Sequence, residues 1–96
     1  MNPILNRAAD IIEQTGWTQG AIALDAAGNP TSALSPAAVC FCTIGAIRKA
    51  AGGHHRVSFY ANNILKTRLG IRDTAVWNDT AGRTKEEVIA ALRGAP

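Results

Sequence analysis

The sequence predicts an all-α, or mainly α, fold: a compact bundle of about four helices around a buried central helix, with a small β-hairpin or an irregular loop over residues 18–34. Three observations carry this reading. The first is the stretch Pro36–Ala51, uncharged from Ala37 to Ile47, with Thr43 as its only hydroxyl. A helix that is apolar almost all round belongs inside a domain, and this one is too short to cross a bilayer, which needs about 20 apolar residues. The second is a pair of helix-start signatures, Asn2-Pro3 and Thr84-x-x-Glu87. The third is glycine at the stop positions Gly16, Gly52-Gly53 and Gly70.

In chain order, Asn2 caps a first helix over about 3–15, with Ile4, Ala8, Ile11, Ile12 and Thr15 on one face. Gly16 stands where a Schellman stop places its glycine, which sets Trp17 against Ile12. Ala21 to Leu24 is short and apolar, and Asp25-Ala-Ala-Gly28 followed by Asn29-Pro30 is turn chemistry. The central helix follows over about 36–51, with Ser35 as its cap and Pro36 at its first position. A third helix over about 58–69, capped by Ser58, buries Phe59, Ala61, Ile64, Leu65 and Leu69 and stops at Gly70. Residues 72–83 form a structured loop whose Trp77 dips into the core. The capping box at Thr84 then opens a last helix to about Arg93, burying Val88, Ile89 and Leu92. Trp17, Cys40, Ile44, Ile47 and Trp77 are expected to be mostly buried.

Ninety-six residues make a single domain, 1–96, long enough to bury a small core without staples. Cys40 and Cys42, two apart on a helix, point about 200° away from each other, so they form no disulfide together. Reduced thiols and an opening with no basic-then-apolar leader predict a cytoplasmic protein. The net charge of +3 hides an asymmetry: no acidic residue lies between Asp25 and Asp73, where Arg48, Lys49, Arg56, Lys66, Arg68 and Arg72 all fall. Such a segment suits an acidic protein face or a nucleic acid.

Trp17-x-x-Gly20, Asp25-x-x-Gly28, Cys42-x-x-Gly45-Ala46-Ile47, Trp77-Asn78-Asp79 and Arg83-Thr84-x-x-Glu87-Val88 occur in this order. Together they resemble a family of small uncharacterised proteins found in actinobacteria, other bacteria and their phages. The resemblance covers the chain from Trp17 to Leu92 and implies a compact helical domain and a phage or prophage setting. It transfers no activity and no catalytic residue, and Cys40 lies outside its pattern.

Each candidate chemistry has a plainer structural reading beside it. Cys42 with His54 or His55 suggests a thiol nucleophile, yet a cysteine six residues into an apolar helix is a core residue, far from the dipole that would lower its pKa. Cys40, Cys42, His54 and His55 have the elements of a zinc site, but Cys-x-Cys on a helix splays the two thiolates. Gly45 inside a buried helix calls for a close neighbour: the third helix is expected there, a ligand being the alternative. Trp77-Asn78-Asp79 with Arg83 could hold a nucleotide or a peptide; the plainer reading ties Asn78 and Asp79 to loop backbone and pairs Arg83 with Asp79. The third helix, following the central one after a glycine loop, also has the order of a helix-turn-helix, with Asn62 and Asn63 placed to read adenine edges.

These observations favour a non-enzymatic binding protein without a cofactor or catalytic residue. It would meet an acidic protein surface through Arg48, Lys49, His54, His55, Arg56, Tyr60, Lys66, Arg68 and Arg72. In a phage setting the role is docking on a host protein, for example inhibiting a defence effector. Direct nucleic-acid binding is the alternative, and a cysteine-dependent enzyme comes third.

Overall fold

The computed structural model describes residues 2–94. Five helices and three two-residue strands follow one another as α1 (Pro3–Gln14), β1 (Ala23–Leu24), β2 (Pro30–Thr31), β3 (Cys40–Phe41), α2 (Thr43–Ala50), α3 (His55–Leu69), α4 (Thr74–Asn78) and α5 (Lys85–Arg93). The fold is mainly α, with a small antiparallel sheet in the order β2-β1-β3. No helix among the described residues is long and apolar enough to cross a membrane.

Local chemistry sets several ends as expected. Asn2 accepts from the amides of Ile4 and Leu5, with Pro3 at the first helical position. Gly70 ends α3 at φ 67°, and the Ile71 amide reaches back to the Lys66 carbonyl in a Schellman closure. Thr84 and Glu87 form the complete capping box of α5. The hairpin forms too. Asp25 accepts from the amides of Ala27 and Asn29 while Gly28 turns at φ 82°, and Ala23 pairs with Thr31.

The middle of the chain departs from the helical expectation. Residues 36–39 are irregular, and Ser35 closes a turn at Ala37 instead of capping a helix. Cys40 and Phe41 extend to pair with Leu24 and Ala23. Their other side is bound as well, since the Phe41 amide donates to the Gly16 carbonyl and the Thr18 amide to that of Phe41. Residue 16 makes no left-handed stop; it is small because the Cβ of Cys40 lies 3.1 Å from where its own would be. The central helix therefore starts only at Thr43. Gly45 meets the backbone just before β1 instead of the third helix, because the Ile22 carbonyl occupies the place of a side chain.

The interior is built mostly from α1, α2 and α5, with Leu5, Ile12, Phe41, Ile47, Val88 and Leu92 buried and a layer of alanines between them. Side chain to backbone bonds tie the helix ends together. Arg7 donates to the Ala50 carbonyl at the end of α2, and Arg68 to the Ala91 and Leu92 carbonyls at the end of α5. Arg93 pairs with Asp10 and Glu13 of α1. By contrast, α3 buries only Ala61 and Leu65 along its 15 residues.

Candidate functional site

The helix α3 starts at His55, three residues before the expected start at 58. Gly52 and Gly53, both at positive φ, turn the chain so that His54 becomes the N-cap, without a capping side chain. Ala61 and Leu65 face inward, while Arg56, Tyr60, Asn63 and Thr67 fall along one outward line, flanked by Phe59 and Ile64. Phe59 and Tyr60 are 65% and 69% exposed, and Ile64 is 43% exposed. Phe59 and Ile64 are thus corrections to the expected buried stripe. The small side chain of Ala61 allows the helix to sit close at that position, which the larger neighbours would prevent.

Between α2 and α3 lies an open groove of about 660 Å³. Ile44 and Ile47 give it an aliphatic floor, Phe59 and Tyr60 stand beside them, and Arg48, His55 and Arg56 supply its polar rim. The two rings meet edge to face, 6.5 Å apart and inclined at 73°. On the far side of Tyr60 a second hollow of about 430 Å³ is lined by Asn63, Ile64, Thr67 and Arg68. Neither is lined by an aspartate or glutamate. Among the described residues, Arg48, Lys49, Arg56, Lys66 and Arg72 form no salt bridge; those present use Arg83 and Arg93.

The structure therefore brings together part of the basic set read from the sequence. Arg48, His55, Arg56 and Tyr60 share the first groove, and Tyr60 and Arg68 the second hollow. Arg68 is also committed to the carbonyls of α5. Lys49, His54, Lys66 and Arg72 line neither. Asn62, a candidate base reader, accepts a 2.6 Å hydrogen bond from the Thr74 hydroxyl instead. Sequence reasoning missed Phe59, Ile44 and Ile47 as groove residues, because an apolar residue on a helix reads as core.

Two local preferences are broken on this face. Large apolar rings stand in solvent, and the first turn of α3 carries His55 and Arg56 with no acidic residue. A cation at a helix N-terminus meets the positive end of the macrodipole, an unfavourable placement worth about 0.3–1 kcal/mol. Arg48 and Lys49, in contrast, sit at the C-terminal end of α2, where cations are favoured.

The other candidates resolve into structure. Asn78 is fully buried, and its Oδ1 accepts from the Trp17 indole at 2.7 Å, the Thr43 amide at 2.9 Å and the Thr43 hydroxyl at 2.6 Å. Its amide nitrogen donates to the Thr18 carbonyl and to Asp79, which in turn accepts from the Gly20 amide. Arg83 pairs with Glu87 rather than Asp79, donates to the Trp77 carbonyl and lies 4.2 Å from the centre of the Trp77 ring. Trp17 and Trp77 are consequently half-buried, each held through a polar or cationic partner at its edge or face.

Cys42 is the N-cap of α2, not a residue six positions inside it, and its sulfur accepts from the Gly45 amide at 3.3 Å. Burial pushes its thiol above the ordinary value, outweighing the opposing pull of the Gly45 and Ile44 amides. Cys40 is half-buried on β3. Among the described residues, no three His, Cys, Asp or Glu side chains gather as a metal-binding group. The Trp-Asn-Asp and Arg-Thr-x-x-Glu motifs, together with Cys42-x-x-Gly45, thus account for the joints of the fold.

The chain belongs to a family of unknown function, DUF6197, whose pattern matches residues 2–96. No curated protein and no solved structure matches it.

Proposed function

We propose that this domain is a non-enzymatic binding module that docks on an acidic face of another protein through the α2–α3 groove. The observation that supports it is the coincidence, on one face, of exposed Phe59 and Tyr60 with Arg48 and Arg56, free of any carboxylate partner among the described residues. Aromatic residues and arginine are the side chains that carry most of the binding energy at protein interfaces. A residue that breaks a local preference for stability without local compensation is also a good candidate for a functional one, and Arg56 does so. The phage setting implied by the sequence motifs makes a host defence effector a reasonable owner of the partner face.

Nucleic-acid binding is the competing reading, since aromatic rings beside arginines also suit stacked bases. The steep angle between the two rings argues against a platform for successive bases, and Lys49, Lys66 and Arg72 line neither hollow. Salt dependence separates the two. Random-sequence DNA and RNA should bind only non-specifically, at about 10⁻⁴–10⁻⁶ M in physiological salt. Tight binding that falls with salt at a log–log slope of about −0.9 per duplex phosphate would transfer the groove to nucleic acid. For the protein reading, Arg48→Glu with Arg56→Glu should abolish partner capture while circular dichroism and the melting temperature show a folded domain. Capture unaffected by these reversals would remove the groove from the function.

A further inference from the structure

We infer that the α2–α3 groove takes a linear segment of the partner in one polarity: a single large apolar anchor, carboxylates on one side of it, and a carbonyl held by Asn62 on the other. This rests on the binding-module reading and specifies its partner. The two ends of the groove differ. Helix α2 runs into the Gly52-Gly53 turn and α3 runs out of it. On each helix the arginine of the rim lies nearer that turn, Arg48 on α2 and Arg56 on α3. Ile44 and Tyr60 each lie four residues further from it, about one helical turn. With no aspartate or glutamate in the lining, the turn end calls for carboxylates. The aliphatic and aromatic end calls for one large apolar side chain, the usual anchor of a hot spot.

Asn62 adds a signal at the apolar end. Its Oδ1 accepts from the Thr74 hydroxyl, which holds the side chain against the start of α4. Its amide nitrogen has no acceptor among the described residues, and no buried side-chain nitrogen there lacks one, so this donor is open to solvent. Asn62 also lines the groove, where the free N–H group suits a carbonyl oxygen of the occupant. Arg56 and Tyr60 stand about 6 Å apart along α3, a distance an extended segment covers in about two residues and a helical one in about four. In either conformation the carboxylates fall within about four residues of the anchor. A second copy of this chain does not fit. Between Asp25 and Asp73 there is no carboxylate to answer six cations, so pairing this face with itself would oppose like charges.

A random 12-residue peptide library selected on the purified protein tests this. The enriched peptides should share one large apolar residue with Asp or Glu within four positions on one side only. A synthetic copy of the leading sequence should lose about tenfold or more in affinity for Phe59→Ala, and likewise for Arg48→Glu with Arg56→Glu. Asn62→Asp keeps an acceptor for Thr74 but replaces the free donor with a carboxylate oxygen. It should weaken binding about threefold or more while circular dichroism stays that of the wild type. Ile64→Ser, in the hollow on the other flank of α3, should bind as the wild type does. Sedimentation of the protein alone should give a monomer. Peptides that need Phe59 and the arginines but carry acids on both sides of the anchor, or none, overturn the inference and leave the binding module standing. Undiminished binding by Asn62→Asp, or weakened binding by Ile64→Ser, does the same. Selected peptides indifferent to Phe59 and to the arginine pair overturn both readings. So does tighter binding of a 12-nucleotide single strand than of the leading peptide. An empty selection, or a dimer that Phe59→Ala dissociates, overturns the acidic segment as occupant.

Discussion

The carbonyl oxygen of Ile22 stands where the first side-chain carbon of residue 45 would lie, so the backbone before β1 runs directly over α2 at Gly45. The same carbonyl accepts the Cys42 amide, which anchors the contact from the start of the helix. Gly45→Ala cannot be relieved by rotating a flexible side chain, because the obstacle is backbone. Overpacking of a core costs about 1–3 kcal/mol, and we expect this substitution to reach or pass the upper end. Urea unfolding followed by far-ultraviolet circular dichroism measures it. A loss below about 0.5 kcal/mol, within the range of an ordinary surface change, would show that the two segments separate easily.

Asn78 offers a second test. Asn78→Ala leaves the Trp17 indole, the Thr43 amide and the Thr43 hydroxyl without their acceptor. Each buried donor left unpaired costs about 1–3 kcal/mol, with incomplete additivity in one network. A total loss of about 3–5 kcal/mol is expected. Trp17→Phe in the same background should cost less than it does in the wild type, because the indole has already lost its acceptor. Equal costs in the two backgrounds would deny the coupling.

The buried thiol gives a dependence on pH. Burial raises the Cys42 pKa in the folded state, so both states hold the proton below the unfolded value of about 8.5. Above it the unfolded chain ionises first, and the stability contribution is lost as pH rises toward and through the folded pKa. The loss should approach about 1.4 kcal/mol per pH unit within that window. Cys42→Ser keeps a capping acceptor that does not titrate there, so its stability should fall less steeply over the same range. Parallel curves for the two proteins would refute the assignment. Thiol reagents should likewise modify Cys42 slowly in the native protein and quickly in denaturant.

How much of this was legible in the sequence depends on the range of the interaction involved. Asn2-Pro3, Gly70 and Thr84-x-x-Glu87 read correctly because each signal and its effect lie within one turn. Cys40-Phe41 did not, since a short apolar run does not distinguish a strand from a helix. The decision is made by β1 and by Gly16, some 20 residues upstream. The basic half of the candidate groove was visible as a charge asymmetry. Its aromatic half is hidden because helical periodicity turns Phe59 and Ile64 inward with the rest of the apolar stripe, whereas α3 buries only Ala61 and Leu65. The expected tie of Asn78 to loop backbone is present at the Thr18 carbonyl, but its acceptance of the Trp17 indole has no local trace.

Arg56 should show opposed effects on stability and binding. Arg56→Glu puts a carboxylate in the first turn of α3, where the helix dipole favours it by about 0.3–1 kcal/mol. The variant should therefore melt slightly higher than the wild type at low salt, and 0.5 M salt should shrink the difference by screening. Its partner affinity should drop at the same time. A variant that is both less stable and unable to bind would point to a structural task for Arg56.

The shallow rooting of α3 carries a consequence for motion. Its two buried residues contrast with the four of α1, an element of 12 residues. Amide protons of α3 should accordingly exchange with solvent through a sub-global opening that leaves α1, α2 and α5 closed. Among the described residues, only Arg68, reaching the end of α5, and the Asn62–Thr74 bond resist that opening by side-chain hydrogen bonding. A partner clasped along the outer flank supplies the burial the helix lacks, so protection against exchange should rise most in α3. Part of the binding free energy then goes into holding this foldon in place, and the domain is most rigid when occupied.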